Sequence, residues 1–284
     1  MKSHRAPNGR WSSLWDRRLE RWRESLRPSG AAPCRVPTSW ETEEEAWTYW
    51  ENVQHFQRER IDFLIGLLAP FRGKKILDIG SGPGVLALPL AEAGASVTAV
   101  DSSPAMLRVL EAKKNKSSLA AVSGLNLSWE DVDPGRDLAP PYDAVIASLS
   151  LTMRDIRASL LKMKAVCRGE VFLVWINGES TWEKHAARLC RLLHGTAFVR
   201  KPKARLLVKV VRELGGRPEI RTVPFPFVEI YSSKENALER LRKYFKADAP
   251  GHADILSRYL DEHLERRNGA FLLNLPATAW VLSW

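Results

Sequence analysis

Residues 75 to 84, KILDIGSGPG, constrain the fold more than any other stretch of the chain. The first five residues predict a short buried strand, and the three glycines at alternate positions predict a tight loop directly after it. Residues 85 to 93 are rich in alanine and leucine and predict a helix. A strand, a glycine loop and a helix in this order form a βα unit, whose loop lies at the carboxyl end of the strand, where α/β sheets bind ligands.

The chain continues beyond this unit as alternating strands and helices. Strands are predicted at residues 96–100, 125–129, 142–148 and 170–176, and helices at residues 104–114 and 153–167. Further along, the pattern predicts helices at residues 181–193, 204–214, 234–245 and 252–266, and strands at residues 220–223 and 270–284. Strands that alternate with helices predict an α/β fold with a doubly wound, parallel sheet.

Two helices are predicted ahead of the first strand. Residues 11–27 place tryptophan and leucine at three- and four-residue spacing, with most arginines elsewhere, which predicts an amphipathic basic helix. Such a helix packs over the rest of the fold or binds a membrane or a partner, and packing is the favoured interpretation. Residues 28–37 predict a linker, and a longer helix is predicted over residues 42–69, where Thr42 and Glu45 are spaced for a capping box.

Charge and composition limit the partners. The chain has a formal net charge of +10, and residues 1–35 alone hold nine Lys and Arg against three acids. Basic surfaces attract phosphates, but no RNA-binding module pattern appears, so nucleic acid is the less favoured partner. No apolar run approaches the roughly 20 residues of a membrane span, and we expect a soluble, cytoplasmic protein. Cys34, Cys167 and Cys190 are too far apart to form a metal-type pair, and no metal site is predicted.

Three kinds of ligand compete for a glycine loop after a first strand. The Walker pattern, Gly-x-x-x-x-Gly-Lys-Ser/Thr, is absent from the chain, which excludes a phosphate-cradling loop of that type. A dinucleotide fingerprint needs a small third residue where Val85 stands, and the carboxylate of Asp78 disfavours an anionic pyrophosphate. S-adenosylmethionine has no phosphate and carries a cationic sulfonium and an ammonium group, so an acid near the loop favours it.

Two motifs resemble those of the class I, seven-stranded S-adenosylmethionine-dependent methyltransferases. Residues 78 to 84 match the family's acid-x-Gly-x-Gly-x-Gly motif in full, and residues 97 to 107, VTAVDSSPAML, are similar to the ending of its second strand. The resemblance implies that Asp101 accepts hydrogen bonds from both ribose hydroxyls and that Met106 lies near the adenine. It also implies that Glu130 or Asp131, with Asp131 favoured, accepts from the adenine amino group. The cofactor-binding residues implied in this way are Asp78, Gly80, Ser81, Gly82, Gly84, Asp101, Ser102, Met106, Trp129, Glu130, Asp131, Ala147 and Ser148.

The resemblance covers about residues 74 to 178 and has consequences for the whole chain. It implies a mostly parallel seven-stranded sheet in a cofactor-binding methyltransferase domain, residues 74–284, with a helical insertion at about residues 230–268. Residues 1–73 are then an N-terminal helical extension or cap. The implied reaction is in-line displacement at the sulfonium methyl group of S-adenosylmethionine, which releases S-adenosylhomocysteine.

The methyl acceptor is not identified by these motifs. Residues 147–150 read ASLS in place of the Asn-Pro-Pro-Tyr type tetrapeptide of many amino-group methylases, which disfavours an amide or exocyclic amine acceptor. Our hypothesis is a small-molecule acceptor under a lid of aromatic-rich helices, and the basic residues favour an anionic one. No catalytic residue is assigned, because His55, His185 and His194 are each more often structural. An RNA-directed methyltransferase, an RNA-associated factor and a non-catalytic cofactor-binding protein remain alternatives.

Overall fold

The predicted strand at residues 75 to 79 lies in the interior of a seven-stranded sheet. The computed structural model describes residues 9–26, 42–117, 119–267 and 269–284. Within these residues the helices are α1 (Arg10–Leu26), α2 (Glu43–Phe56), α3 (Arg58–Leu68), α4 (Ala87–Glu92), α5 (Pro104–Lys116), α6 (Ile156–Val166), α7 (Thr181–His194), α8 (Ala204–Glu213), α9 (Lys234–Phe245) and α10 (His252–His263). The strands are β1 (Lys75–Ile79), β2 (Ser96–Asp101), β3 (Val122–Asn126), β4 (Tyr142–Ser148), β5 (Cys167–Asn177), β6 (Glu219–Phe225), β7 (Val228–Tyr231), β8 (Leu264–Arg267), β9 (Ala270–Asn274) and β10 (Ala277–Ser283).

The strand order in the main sheet is β3-β2-β1-β4-β5-β10-β6. The first five strands run parallel, and β10 runs antiparallel to both of its neighbours, β5 and β6. Because β6 is antiparallel to β10, it runs in the same direction as β5, and its last residue lies at the same edge as the carboxyl ends of the other parallel strands. The predicted doubly wound, mostly parallel seven-stranded sheet is confirmed.

Alternate residues of the strands pack against two different layers of helices. Ile76, Ile146, Val174 and Val223 share one hydrophobic cluster with residues of α3 and α4. Their neighbours along the strands, such as Leu77, Val145 and Leu173, belong to a second cluster with residues of α1, α6 and α8. Because side chains alternate between faces, the last residues of these strands are assigned to a face by the same rule.

The N-terminal helix packs on the fold, as favoured from its sequence. Trp15 and Leu19 are fully buried, and the Trp15 and Trp175 rings lie 5.7 Å apart. The Glu213 carboxylate at the end of α8 accepts hydrogen bonds from the Trp11 and Ser12 backbone N–H groups at 2.7 and 3.1 Å. An acid at the start of a helix satisfies free N–H groups and interacts favourably with the helix dipole. The predicted linker, residues 28–37, lies outside the described residues.

The long helix predicted over residues 42–69 is wrong in one respect, because the structure contains two helices there. Thr42 and Glu45 form the predicted capping box at the start of α2. The backbone then leaves the helical conformation at Gln57, with φ −127° and ψ 15°. The Gln57 side chain is buried and accepts a hydrogen bond from Arg60 at 2.9 Å. The break between α2 and α3 therefore lies at Gln57, whose buried side chain pairs with Arg60.

Two predicted strands are also corrected. β3 begins and ends three residues earlier than predicted, because Val122 rather than Leu125 provides its buried first residue, paired with Val97 of β2. Trp129 therefore lies beyond the strand. The single strand predicted at residues 270–284 is two strands: β9 belongs to a separate antiparallel sheet of order β7-β9-β8, and β10 belongs to the main sheet.

The segment that was predicted to be a helical insertion contains α9 and α10 but also strands of the small sheet. These elements pack with α7 in a third hydrophobic cluster that includes Leu189, Tyr231, Phe245 and Leu256. Strand β7 also contacts α2, so the insertion meets the N-terminal helices. In the described part of the chain, no helix has both the length and the apolar composition that a membrane crossing requires.

Candidate cofactor site

The glycine loop after β1 is tightly packed against the end of β4. Gly80, Gly82 and Gly84 all have positive φ, at 68°, 56° and 84°. A Cβ atom on Gly80 would lie 2.2 Å from the Cβ of Ser150, a clash that no side chain at position 80 avoids. Ser150 donates a hydrogen bond from Oγ to the Ile79 carbonyl at 2.6 Å, which holds the two segments together. Glycine is therefore required at position 80 by both conformation and space.

The carboxylate of Asp101 at the end of β2 anchors the loop from the other side. One oxygen accepts from the Gly82 N–H and the other from the Ser103 N–H, both at 2.8 Å. Burial raises the pKa of Asp101, and these two hydrogen bonds act in the opposite direction. A carboxylate has about four acceptor sites, so two remain for a ligand that donates hydroxyl groups.

Asp78, the acid of the first motif, lies beneath the loop and is only 2% exposed. Its Oδ2 atom and the Oγ of Ser81 are buried without a hydrogen-bond partner among the described residues. Burial, together with the nearby charge of Asp101, raises the pKa of Asp78 to about 7. Two acids with free acceptor sites attract a cationic or hydroxyl-rich ligand and repel a phosphate.

Aromatic residues of α2 cover this loop. The Cε1 atom of Tyr49 and the sulfur of Met106 each lie 3.9 Å from the position that a Cβ on Gly82 would take. Met106 is buried in a small cluster with Trp47 and Trp50 packed against it. Lys113 of α5 lies 4.9 Å from the centres of both tryptophan rings. Aromatic residues of α2 therefore lie next to the glycine loop, and a lid formed by them over an acceptor stays a prediction.

The residues after β3 do not all lie where the resemblance implies contact with an adenine. The Trp129 ring is in the core, where Nε1 donates to the Ser159 carbonyl at 3.2 Å and the Lys162 ammonium lies 4.9 Å from the ring centre. Its role against an adenine ring is therefore not supported. Glu130 accepts from the Arg154 N–H at 3.0 Å, and Asp131 accepts from the Ser128 hydroxyl at 2.5 Å. Both acids are exposed, and their contact with an adenine stays a prediction.

The remaining candidates lie at the ends of β2 and β4. Ser102 is exposed next to Asp101, and Ala147 is fully buried in the cluster that contains α6. Ser148 is on the same face of the sheet as Asp78, since Asp78 pairs with Ile146 and Ser148 lies two residues further along β4. Leu149 then adopts φ 60°, a conformation that costs a non-glycine residue free energy and often marks a functional site.

Sequence reasoning missed three residues near the site, Tyr49, Arg60 and Ser150. For Tyr49 the only sequence signal is the aromatic-rich composition of its predicted helix. For Ser150 it is the absence of the Asn-Pro-Pro-Tyr type tetrapeptide at residues 147–150. No sequence signal marks Arg60, because burial of a charged residue is a property of tertiary packing.

Comparisons with known proteins agree with the motif assignment. Residues 76–170 match the family model described as a methyltransferase domain. The ubiquinone biosynthesis O-methyltransferase of Schizosaccharomyces pombe is 41% identical over 108 residues, which are 36% of this chain and 39% of that protein. The match covers 39% of that protein and 35% of a Haemophilus influenzae relative, so the chain spans well under half the length of either.

Two solved structures share the fold at low sequence identity. The YcgJ protein of Bacillus subtilis has a TM-score of 0.51 and 15% identity, and the match covers 79% of this chain and 98% of that one. The magnesium protoporphyrin IX methyltransferase of Synechocystis has a TM-score of 0.50 and 14% identity, with 96% and 98% of the two chains covered. Residues 76–170 thus match a methyltransferase domain, and the chain has the fold of the class I S-adenosylmethionine-dependent methyltransferases.

Proposed function

We propose that this chain is an S-adenosylmethionine-dependent methyltransferase that acts on a small-molecule acceptor. The observation that carries the proposal is Asp78, a buried acid with an unpartnered oxygen under a glycine loop. A buried carboxylate without a partner is costly, and a cationic ligand offsets that cost. The ammonium group of S-adenosylmethionine supplies such a cation, whereas a dinucleotide pyrophosphate adds negative charge.

Other residues of the site fit the rest of the cofactor. Asp101 keeps two acceptor sites for the ribose hydroxyls while it holds Gly82 and Ser103. Met106 and Tyr49 border the loop with apolar surface for the adenine and the chain of the cofactor. When bound, S-adenosylmethionine supplies an activated methyl group on a sulfonium. The residues of this chain then contribute by aligning the acceptor and excluding water.

No general base is assigned, and the three histidines considered from the sequence have structural contacts. His55 is exposed and hydrogen-bonds the Glu51 carbonyl at 2.8 Å. His185 hydrogen-bonds the Tyr259 hydroxyl at 2.7 Å, and His194 the Phe245 carbonyl at 2.6 Å. Methyl transfer to an acceptor that is already deprotonated needs no base, so the absence of an assigned base is compatible with the reaction.

Two observations support a small-molecule acceptor: the helices next to the glycine loop and the name of one relative. Helix α2 contacts β7, and its Tyr49 lies next to the glycine loop, so helices border the loop where an acceptor would enter. This arrangement supports a small molecule rather than a polymer as the acceptor. The Schizosaccharomyces pombe relative is named for ubiquinone biosynthesis, which has a small-molecule acceptor. The +10 charge keeps an RNA-directed methyltransferase as the alternative, and that alternative predicts strongly salt-dependent retention of RNA.

Calorimetry with S-adenosylmethionine tests the cofactor assignment. The wild type is expected to bind, and Asp101→Ala to bind about 10- to 100-fold more weakly, because it loses charge-assisted hydrogen bonds to the ribose. Asp62→Ala is the control, since Asp62 is an exposed acid on α3 that pairs with Arg58. The assignment fails if the wild type shows no binding or if Asp101→Ala binds equally well.

A second experiment tests catalysis and the acceptor class. Extracts are incubated with the protein and methyl-labelled S-adenosylmethionine, and labelled products are separated into small molecules, RNA and protein. A labelled small molecule is the expected product. Label in RNA alone favours the alternative, and tight cofactor binding with no labelled product favours a non-catalytic cofactor-binding protein.

A further inference from the structure

Arg60, on α3, is a buried cation that the cofactor site does not use. It is 2% exposed, although arginine is rarely buried without a charged partner. One terminal nitrogen donates to the Gln57 amide oxygen at 2.9 Å, and the guanidinium lies near the Tyr49 side chain, which acts to raise the pKa of Arg60 against the larger effect of burial. Its Nε–H has no partner within the described ranges. The guanidinium therefore has donor capacity left inside the protein.

The positive charge of Arg60 is not paired with a negative charge among the described residues. Over the described residues, no carboxylate forms an ion pair with it, and the contacts to Gln57 and Tyr49 are with neutral groups. The Phe225 ring, whose centre is 4.7 Å from the guanidinium carbon, offers a cation–π contact only. Burial lowers the pKa of Arg60, against the influence of Tyr49, but a guanidinium stays protonated in proteins. A buried, protonated guanidinium that pairs with none of the described carboxylates is costly, and an anion would offset that cost.

The position of Arg60 relative to the sheet connects it with the substrate edge. Phe225 is the last residue of β6 and lies on the same face as Val223, which belongs to the cluster that also contains Ile76. Asp78 shares that face, since it lies two residues after Ile76 on β1. Arg60 and Asp78 are thus above the same face and at the same edge, with four strand spacings between β1 and β6.

Tyr49 lies between the glycine loop and Arg60 and is close to both. Its Cε1 atom lies 3.9 Å from the position that a Cβ on Gly82 would take, and its side chain is also near the Arg60 guanidinium. The guanidinium consequently lies on the far side of Tyr49 from the loop and over β6, whereas the cofactor motifs belong to β1 and β2. This arrangement favours a group of the acceptor, rather than of the cofactor, as the partner of Arg60.

We propose that Arg60 binds a carboxylate group of the methyl acceptor, with Tyr49 and Phe225 against the adjoining apolar part of that molecule. The planar guanidinium, with Nε–H free, matches the two oxygens of a carboxylate. That the carboxylate belongs to the methyl acceptor rests on the proposed function, whereas the presence of an anion site at Arg60 does not. It narrows the acceptor from a small molecule to one that carries an anionic group on an apolar body.

Calorimetry with small probes tests the site in the full-length chain. Benzoate and acetate are the anionic probes and benzamide is the neutral one, each titrated with and without saturating S-adenosylhomocysteine. The wild type is expected to bind benzoate more tightly than acetate and not to bind benzamide. Arg60→Gln should lose at least about tenfold in benzoate affinity. Arg58→Gln is the matched control, because Arg58 is exposed on the same helix and pairs with Asp62 at 3.1 Å.

The affinity for S-adenosylhomocysteine shows whether Arg60 binds the acceptor or the cofactor. It should differ by less than about threefold between the wild type and Arg60→Gln. If Arg60→Gln weakens S-adenosylhomocysteine and leaves benzoate binding unchanged, the guanidinium belongs to the cofactor and the proposal is overturned. If the wild type binds neither anionic probe, the proposal is also overturned. Benzoate binding that depends on Arg60 in a protein that binds no S-adenosylhomocysteine supports the anion site and refutes the proposed function.

A second variant distinguishes a binding residue from a structural one. Arg60→Met removes the charge and keeps most of the length of the side chain. Because an unpaired buried charge destabilises the fold, its melting temperature without anion should equal or exceed that of the wild type, while benzoate binding is lost. A melting temperature lowered by more than about 5 °C shows that the contacts with Gln57 and Tyr49 are structural, and it contradicts the proposal.

Discussion

Replacing Asp78 by asparagine is expected to stabilise the cofactor-free protein while it removes cofactor binding. Asparagine has nearly the same shape but never ionises. In the wild type, burial and the charge of Asp101 raise the pKa of Asp78 from its ordinary value of 3.8 to about 7. At about 1.4 kcal/mol per pKa unit, the ionised side chain costs the folded state about 4 kcal/mol.

The sign of this effect sets its pH dependence. Below the unfolded pKa near 4, Asp78 is protonated in both states and costs nothing. As the pH rises from about 4 to 7, the unfolded chain loses the proton first, so the folded state is progressively destabilised. Above pH 7 the cost is constant. The advantage of Asp78→Asn over the wild type should therefore be about 2 to 3 kcal/mol larger at pH 8 than at pH 5.

Urea denaturation at pH 5 and pH 8 measures this difference in the free energy of unfolding. Asp62→Asn is the control, since it is the same substitution at an exposed acid that lies outside the glycine loop. Calorimetry at pH 8 should show S-adenosylhomocysteine binding by the wild type and not by Asp78→Asn. An advantage of the variant that is equal at both pH values would refute the reasoning, because the cost of Asp78 would then not come from its ionisation.

Two further variants test the loop and the N-terminal helix. Gly80→Ala should abolish S-adenosylhomocysteine binding and cost about 2 to 4 kcal/mol of stability, because its φ is positive and its Cβ meets Ser150. In urea denaturation, adding Ser150→Gly should recover part of that loss, and strictly additive effects would contradict the predicted clash. Glu213→Gln should weaken the anchoring of α1 by about 1 to 2 kcal/mol, because the charged acceptor for Trp11 and Ser12 N–H is lost. Hydrogen exchange in α1 measures this effect, and protection equal to that of the wild type would show that the carboxylate charge is not needed.

Glu213 also has a pH dependence of opposite sign. Burial alone raises its pKa, but the hydrogen bonds from Trp11 and Ser12 outweigh burial and lower it below the ordinary value. Its contribution is therefore present at neutral pH and is lost as the pH falls through the lowered pKa. Protection of α1 in the wild type should decrease on acidification, whereas in Glu213→Gln it should not change over the same range.

Local sequence predicted the parts of the fold that depend on neighbouring residues. The apolar run before Gly80, bounded by glycines, predicted β1, and Thr42 and Glu45 cap a helix through contacts three residues apart. Residues 78 to 84 and Asp101 predicted a sulfonium cofactor rather than a phosphate, because the chemistry of the side chains is independent of the fold. The prediction was wrong at β3 and at residues 270–284, where hydrogen-bonding partners far along the chain decide which residues form the strand.

The sequence by itself thus determined the alternating strands and helices of the parallel sheet, the glycine loop and the two acids of the candidate cofactor site. Only the tertiary structure decided which polar groups lose their contact with water. Burial raises the pKa of Asp78, packing holds Trp129 in the core, and Arg60 is buried with no counter-ion among the residues that the structure describes. The physical reason is that desolvation depends on everything that packs around a group, including segments more than a hundred residues away, and a local pattern does not encode it.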